Sequence, residues 1–86
     1  MQSFDYVIRD EVGIDANPAV YLGKLAKEHR GSIVTLKNGD RQAPVNMLMG
    51  IVELGIKCGD RITVTVEGGD EEATRAAFEE FFKENL

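Results

Sequence analysis

The sequence has one cysteine, one histidine, no tryptophan and no long apolar run. The single Cys58 forms no disulfide within the chain, which favours a reducing compartment. Cys58 and His29 lie far apart in sequence, so no metal site and no bound cofactor are expected. No segment approaches the ~20 apolar residues that span a bilayer, and the first residues lack the basic-then-apolar pattern of a signal peptide. We therefore expect a cytoplasmic protein without membrane insertion.

Basic residues are also scarce. The chain has 10 lysines and arginines against 15 aspartates and glutamates, and its formal net charge is −5. Nucleic-acid binding requires basic patches that contact phosphates, so this balance argues against a nucleic-acid partner and favours proteins or small molecules. With 43% hydrophobic residues in 86, the chain has material for one core. Residues 1–86 are therefore expected to form a single domain.

The apolar pattern alternates between periods of two and of about 3.6 residues, which predicts seven elements in the order βαββαβα. They cover about residues 4–9, 18–30, 32–37, 40–43, 47–54, 61–67 and 71 onward. Asn38-Gly39 is a strong hairpin signal, and Pro44 keeps the third strand short and at an edge. We expect an α+β open-faced sandwich, in which a mainly antiparallel four-stranded sheet carries helices on one face.

Polar residues at the predicted helix starts indicate how each helix is capped. Asp15 or Asn17 caps the first helix, with Pro18 in its first turn. Asn46 is the predicted cap of the short second helix, and Asp70 is the predicted cap of the third. Apolar stripes are predicted at helical spacing. They are Leu22, Leu25, Ala26 and His29 in the first helix, and Thr74, Ala77, Phe78 and Phe81 in the last.

The short second helix is apolar on nearly all sides. A helix of two turns buries only one side against a sheet, so part of this surface is expected to stay exposed. Exposed apolar patches commonly mark docking sites, and methionine suits surfaces that accept several partners. The residues expected to form the patch are Met47, Leu48, Met49 and Val52. The alternative is that strand ends and loops cover them.

The segment GIDANPA, residues 13–19, has the pattern of a strand-to-helix turn that presents Asp15. Helix N-termini carry unsatisfied N–H groups and a partial positive charge, so anions are stabilised there. Asp15 is therefore either a helix cap or a chemically active group, and its residue type alone favours a cap. His29 lies at the opposite end of this helix, where a protonated histidine suits the negative dipole end.

GIDANPA resembles the active-site turn G-[IL]-H-x-R-P-A of HPr, the histidine-containing phosphocarrier of the sugar phosphotransferase system. The segment NMLMGIVELGIKCGDRITVTVEG is similar to the HPr segment that runs from the regulatory serine into the last strand. The βαββαβα order is that of HPr too. The resemblance places Asp15 at the phosphorylated histidine and Asn17 at the arginine that cradles the phosphoryl group. It places Met47, or Asn46 with a shift of one, at the regulatory serine, and neither side chain has a hydroxyl.

Phosphotransfer at Asp15 is not expected, and the chain is not expected to be an enzyme. A carboxylate forms an acyl phosphate only with help from Mg²⁺ and a lysine. Asp10 and Glu11 are close enough in sequence to supply metal oxygens, and Lys24 or Lys27 is the candidate lysine. The sequence does not show these parts assembled.

The resemblance, with Asp15 and Asn17 in place of the family's phospho-accepting histidine and its arginine, implies a regulatory role exercised by docking on phosphotransferase-system proteins. The implied partners are the general phosphotransferase enzyme and sugar-specific components, or a transcriptional or metabolic regulator. The predicted partner-binding residues are Asp15, Asn17, Val20, Lys24, Lys27, Met47, Leu48, Met49 and Val52. The alternative is a working phosphocarrier that relays phosphate in phosphoenolpyruvate-dependent sugar transport. A regulator of metabolic enzymes with no link to sugar transport is a third possibility.

Overall fold

The computed structural model of the chain describes residues 1–86. The elements are β1 (Gln2–Val7), α1 (Ala16–Glu28), β2 (Ile33–Asn38), β3 (Arg41–Pro44), α2 (Leu48–Glu53), β4 (Arg61–Glu67) and α3 (Glu71–Asn85). The strands form one sheet in the order β1-β4-β2-β3, and every neighbouring pair is antiparallel. None of the three helices is long and apolar enough to cross a membrane. The predicted α+β order is confirmed, with β3 at an edge.

The sheet buries one face and leaves the other in contact with solvent. In β4, Ile62, Val64 and Val66 are fully buried, whereas the alternate residues Thr63 and Thr65 are only half-buried. The strand register aligns these buried side chains with apolar partners on the flanking strands, which stabilises the sheet through cross-strand contacts. Buried residues of all three helices join the buried strand residues in one core cluster, as predicted for an open-faced sandwich.

The buried stripe of α3 differs from the predicted stripe, because its last aromatic residue is one position later. Of its predicted members, Thr74 and Phe78 are buried, but Ala77 and Phe81 are only half-buried. Phe82 is the third fully buried residue of α3. Its ring meets Phe4 and Tyr6 edge-on, at centroid distances of 5.8 and 5.4 Å. Contact with these two rings of β1 favours burial of Phe82 over Phe81, because edge-on aromatic contacts add stabilisation beyond that of the buried area.

The predicted cap of α2 is wrong. Met47, not Asn46, is the N-cap residue, and its side chain makes no capping hydrogen bond. The N–H of Met47 donates to the carbonyl of Pro44, 3.1 Å away. This tight turn after β3 starts the helix one residue later than the capping rule predicts. Asn46 is exposed and its side chain makes no hydrogen bond within the chain.

Candidate functional site

The turn that connects β1 to α1 is fixed by backbone hydrogen bonds. The Oδ2 atom of Asp10 accepts from the N–H groups of Val12 and Gly13, at 3.0 and 3.2 Å. Gly13 has a φ of +82°, and a Cβ at this position would overlap the carbonyl oxygen of Ile56. The next residue, Ile14, donates its N–H to that oxygen at 3.1 Å. Glycine is therefore required by conformation and by close backbone approach.

Asp15 is the N-cap of α1. Its Oδ1 atom accepts from the N–H of Asn17 at 3.1 Å, so Asp15 rather than Asn17 caps the helix. The side chain is exposed, and its second carboxylate oxygen has no hydrogen-bond partner within the chain. A full negative charge is thus held at the positive end of the α1 dipole, where it is stabilised.

A cavity of about 290 Å³ lies beside Asp15, between the start of α1 and the end of α3. Asp10, Asp15 and Asn17 line it together with the rings of Tyr21 and Phe81, and no lysine, arginine or histidine lines it. A phosphoryl group needs cationic donors to offset its charge. The residues that line this cavity supply none.

The apolar patch predicted on α2 is exposed at three of its four positions. Met47, Leu48 and Met49 are 57%, 40% and 63% exposed. Val52 is half-buried and packs against the core, so it is less exposed than the other three. Ile51 lies on the inner side of this helix and is completely buried. The helix thus has one buried side and one apolar side that faces solvent.

A groove of about 270 Å³ separates α1 from α2. Val20, Lys24 and Lys27 line it from α1, and Leu48 lines it from α2. Val20 is 40% exposed at the rim. The structure therefore brings these four predicted binding residues together, whereas Asp15 and Asn17 line the separate cavity at the start of α1.

His29 and Cys58 lie outside both cavities. His29 is half-buried at the end of α1, with Nδ1 3.4 Å from the Thr74 hydroxyl, and that hydroxyl is 2.9 Å from the Ser32 hydroxyl. These contacts give His29 a structural role between α1 and α3. Cys58 is exposed in the loop before β4, and its thiol lies 3.6 Å from the carbonyl of Arg9.

Two exposed apolar residues near Asp15 were not identified from the sequence. Tyr21 and Val12 are 57% and 62% exposed, and both line the cavity beside Asp15. Tyr21 follows Asn17 by four residues, so helical spacing alone places both side chains on one face. The Lys24 ammonium lies 5.1 Å from the centre of the Tyr21 ring. No sequence signal places Val12, because it belongs to the irregular turn.

Known proteins of one family resemble this chain over nearly its whole length. The family model for the PTS HPr component phosphorylation site matches residues 2–84. Phosphocarrier protein HPr of Mycoplasma genitalium is 31% identical over 85 residues, which cover 99% of this chain and 97% of that protein. Phosphocarrier protein HPr of Mycoplasma capricolum is 33% identical over 70 residues, covering 81% and 78%.

Solved structures of HPr proteins share the fold of this chain. A structure of the histidine-containing phosphocarrier protein of Mycoplasma matches with a TM-score of 0.90 and 28% identity, covering 96% of this chain and 93% of that one. HPr of Bacillus anthracis matches in fold, with a TM-score of 0.84 and 23% identity over 94% and 95% of the two chains. The chain therefore belongs to the HPr family of the phosphotransferase system.

Proposed function

We propose that this HPr-family chain acts in the cytoplasm by docking on phosphotransferase-system proteins, in a regulatory role and without relaying phosphate itself. Members of the family are phosphocarriers rather than catalytic enzymes. The observation that carries the proposal is the exposed Asp15 carboxylate, held at the α1 N-terminus beside a cavity that no basic side chain lines.

Asp15 supplies, without any reaction, a negative charge at the position that the family resemblance assigns to a phosphorylated histidine. A carboxylate carries one charge where a phosphoryl group carries nearly two, so the mimicry is partial. Asn17, at the position assigned to the phosphate-cradling arginine, adds no positive charge. A partner that prefers the phosphorylated surface therefore binds this chain constitutively.

The contact area is proposed to come from the exposed side of α2 and the rim of the groove. Met47, Leu48, Met49 and Val20 supply apolar surface, and Lys24 and Lys27 supply positive charge for an acidic partner. Met47 also occupies the position assigned to the regulatory serine, and a thioether accepts no phosphoryl group. The proposed partners are the general phosphotransferase enzyme and sugar-specific components, or a transcriptional or metabolic regulator.

The alternative is a working phosphocarrier, at Asp15 or at another residue, and at Asp15 it requires an acyl phosphate. One oxygen of the nearby Asp10 already accepts two backbone N–H groups. Lys24 and Lys27 line the groove between α1 and α2 and do not line the cavity beside Asp15. The cationic help that this chemistry demands is therefore not gathered around Asp15.

A phosphorylation experiment separates the two functions. The chain is incubated with phosphoenolpyruvate, Mg²⁺ and the general phosphotransferase enzyme, and its intact mass is measured at neutral pH. HPr of Mycoplasma genitalium serves as the positive control. We expect the wild-type mass to stay unchanged. A gain of one phosphoryl group would favour the carrier function instead, and its loss in Asp15→Asn would place that group on Asp15.

A binding experiment tests docking directly. Calorimetry compares wild type with Asp15→Asn against the general phosphotransferase enzyme and the sugar-specific components. Asparagine caps helices as well as aspartate, so this substitution removes charge and leaves the helix start intact. We expect wild type to bind and Asp15→Asn to bind several-fold more weakly, since one charge pair contributes about 1 kcal/mol. Failure of wild type to bind any of these proteins rules out the proposal.

A further inference from the structure

Two of the three methionines of the chain stand on the surface proposed for docking. Met47 and Met49 are more than half exposed and flank Leu48 at the start of α2. Neither thioether takes part in a hydrogen bond within the chain. The fully buried Ile51 holds the other side of α2 against the core. The side chains of the two methionines are thus accessible to solvent, whereas Ile51 beneath them is not.

We propose that Met47 and Met49 form a reversible oxidation site, at which a hydroperoxide switches the docking surface from apolar to polar. The inference rests on the proposed function, because a change at this surface matters only if partners dock there. Oxidation would regulate this docking at a place where phosphorylation cannot, because Met47 stands at the position assigned to the regulatory serine and has no hydroxyl.

The chemistry is a two-electron oxygen transfer. A lone pair of the Met47 or Met49 sulfur attacks the terminal oxygen of the hydroperoxide, and the O–O bond breaks. A sulfur–oxygen bond forms, and the departing oxygen takes a proton and leaves as water or as an alcohol. The sulfur is oxidised to a sulfoxide, and the peroxide is reduced. Methionine sulfoxide reductases reverse the modification, one enzyme for each epimer.

Because Met47 and Met49 lie on the exposed side of α2, we expect their oxidation to weaken docking and to leave the fold intact. Oxidation of a buried methionine disrupts a core, but neither Met47 nor Met49 is among the 17 residues of this core. A sulfoxide oxygen is polar, so burying it in an apolar interface without a partner is unfavourable. The fold therefore persists, and the same helix presents a polar surface.

The chain offers internal controls for this effect. Met1 is 75% exposed, and its backbone lies next to Glu71 at the start of α3, away from α2. Cys58 is the other oxidisable side chain with an exposed sulfur. A Cys58→Ser background removes the thiol. Met1 sulfoxide then reports an oxidation that leaves the docking surface unchanged.

The first measurement follows oxidation in the Cys58→Ser protein. Peptide mass spectrometry after graded hydrogen peroxide treatment gives the extent at each methionine, and circular dichroism reports the fold. We expect one added oxygen at Met47 and one at Met49, and a melting temperature within about 3 degrees of that of the untreated protein, as for a surface change. Resistance of both side chains to oxidation, or unfolding on their oxidation, would overturn the inference.

The second measurement compares binding to the general phosphotransferase enzyme before and after treatment. We expect oxidation to weaken binding on the order of tenfold, the effect of one unpaired polar group in an interface. Treatment with both sulfoxide reductases should restore it. The Met47→Leu/Met49→Leu variant keeps an apolar surface without sulfur, so its own binding before and after peroxide treatment should be the same.

The outcomes distinguish this inference from the proposed function. If the untreated protein does not bind, docking itself is refuted and the switch with it. If the untreated and oxidised proteins bind equally well, only the switch is refuted. Equal sensitivity of the leucine variant would place the effect outside α2 and would refute the switch in the same way.

Discussion

The start of α1 and the helix α2 are held in place by opposite means. At the start of α1, Asp10 and Asp15 accept backbone N–H groups, and Ile14 is hydrogen bonded to the loop before β4. The start of α2 has no side-chain cap, and its first turn contains no acidic residue. It is held instead by the burial of Ile51 beneath exposed methionines.

The comparison shows how a small domain divides two tasks. Hydrogen bonds are directional, so they fix the position of a single charge within a short turn. Apolar burial is non-directional, so it holds a helix while leaving its outer side available for contact. The start of α1 positions a charge, and the outer side of α2 supplies contact area. Three substitutions in the two regions, and a fourth at the comparable start of α3, test the dependence on these different interactions.

The largest effect is expected at Ile51 of α2. Ile51→Ala leaves a cavity under the helix and should lower the free energy of unfolding by about 4 kcal/mol. Met49→Ala on the same helix is the control, because its side chain is 63% exposed, and should change stability by less than about 0.5 kcal/mol. Urea unfolding measures both. Equal losses would show that the outer side of α2 also stabilises the fold.

A smaller loss is expected at Gly13, in the turn before α1. Gly13→Ala combines a positive φ with overlap of the Ile56 carbonyl, and we expect a loss of about 3 kcal/mol. Gly39→Ala also has a positive φ, but no atom lies within 4 Å of its added Cβ, so its expected loss is about 1 kcal/mol. Similar losses by urea unfolding would mean that close approach to Ile56 does not hold the turn.

The capping contact of Asp15 comes next. Asp15→Ala should lower stability by about 1 kcal/mol, whereas Asp15→Asn should be nearly neutral because asparagine also caps. Asn46→Ala should have no measurable effect, since Asn46 caps no helix. Thermal and urea unfolding of the three variants give the comparison. A loss at Asn46 equal to that at Asp15 would contradict the assigned caps.

The smallest effect concerns Glu71, which makes similar polar contacts at the start of α3. The N-terminal ammonium, 2.8 Å from Oε1, and the Gly68 N–H, 2.7 Å from Oε2, lower the pKa of Glu71. A carboxyl whose pKa is lower in the folded state stabilises the fold above its unfolded pKa. That contribution is lost as the pH falls through the folded pKa.

The melting temperature of wild type should therefore exceed that of Glu71→Gln at neutral pH. The difference should vanish at a pH below the folded pKa of Glu71, where both side chains are uncharged. Scanning calorimetry across this range measures the difference. A gap that does not depend on pH would show that charge plays no part in the contact.

Local chemistry allowed much of the fold to be predicted. Asp15 followed by Pro18 marks a helix start, and Asn38-Gly39 marks a hairpin, because each depends only on neighbouring backbone groups. The strand order and the position of α2 beside α1 are long-range features. Periodicity within a segment does not predict them, and they are given by the tertiary structure.

The errors arose where a distant group selects between adjacent residues. Phe81 and Phe82 both fit a helical stripe, and the rings of Phe4 and Tyr6 determine that Phe82 is the buried one. Asn46 has the chemistry of a cap, but a turn at Pro44 moves the helix start past it. Neither outcome is visible in a window of local sequence.

The sequence by itself determined the element order, a polar cap for the first helix at Asp15 or Asn17, and the net negative charge. Those properties depend on residue type and on neighbours a few positions away. Only the tertiary structure decided that the cavity beside Asp15 contains no basic side chain. It alone decided that Met47 and Met49 face outward while Val52 turns toward the core. The physical reason is that exposure and charge environment are set by packing between segments far apart in the chain.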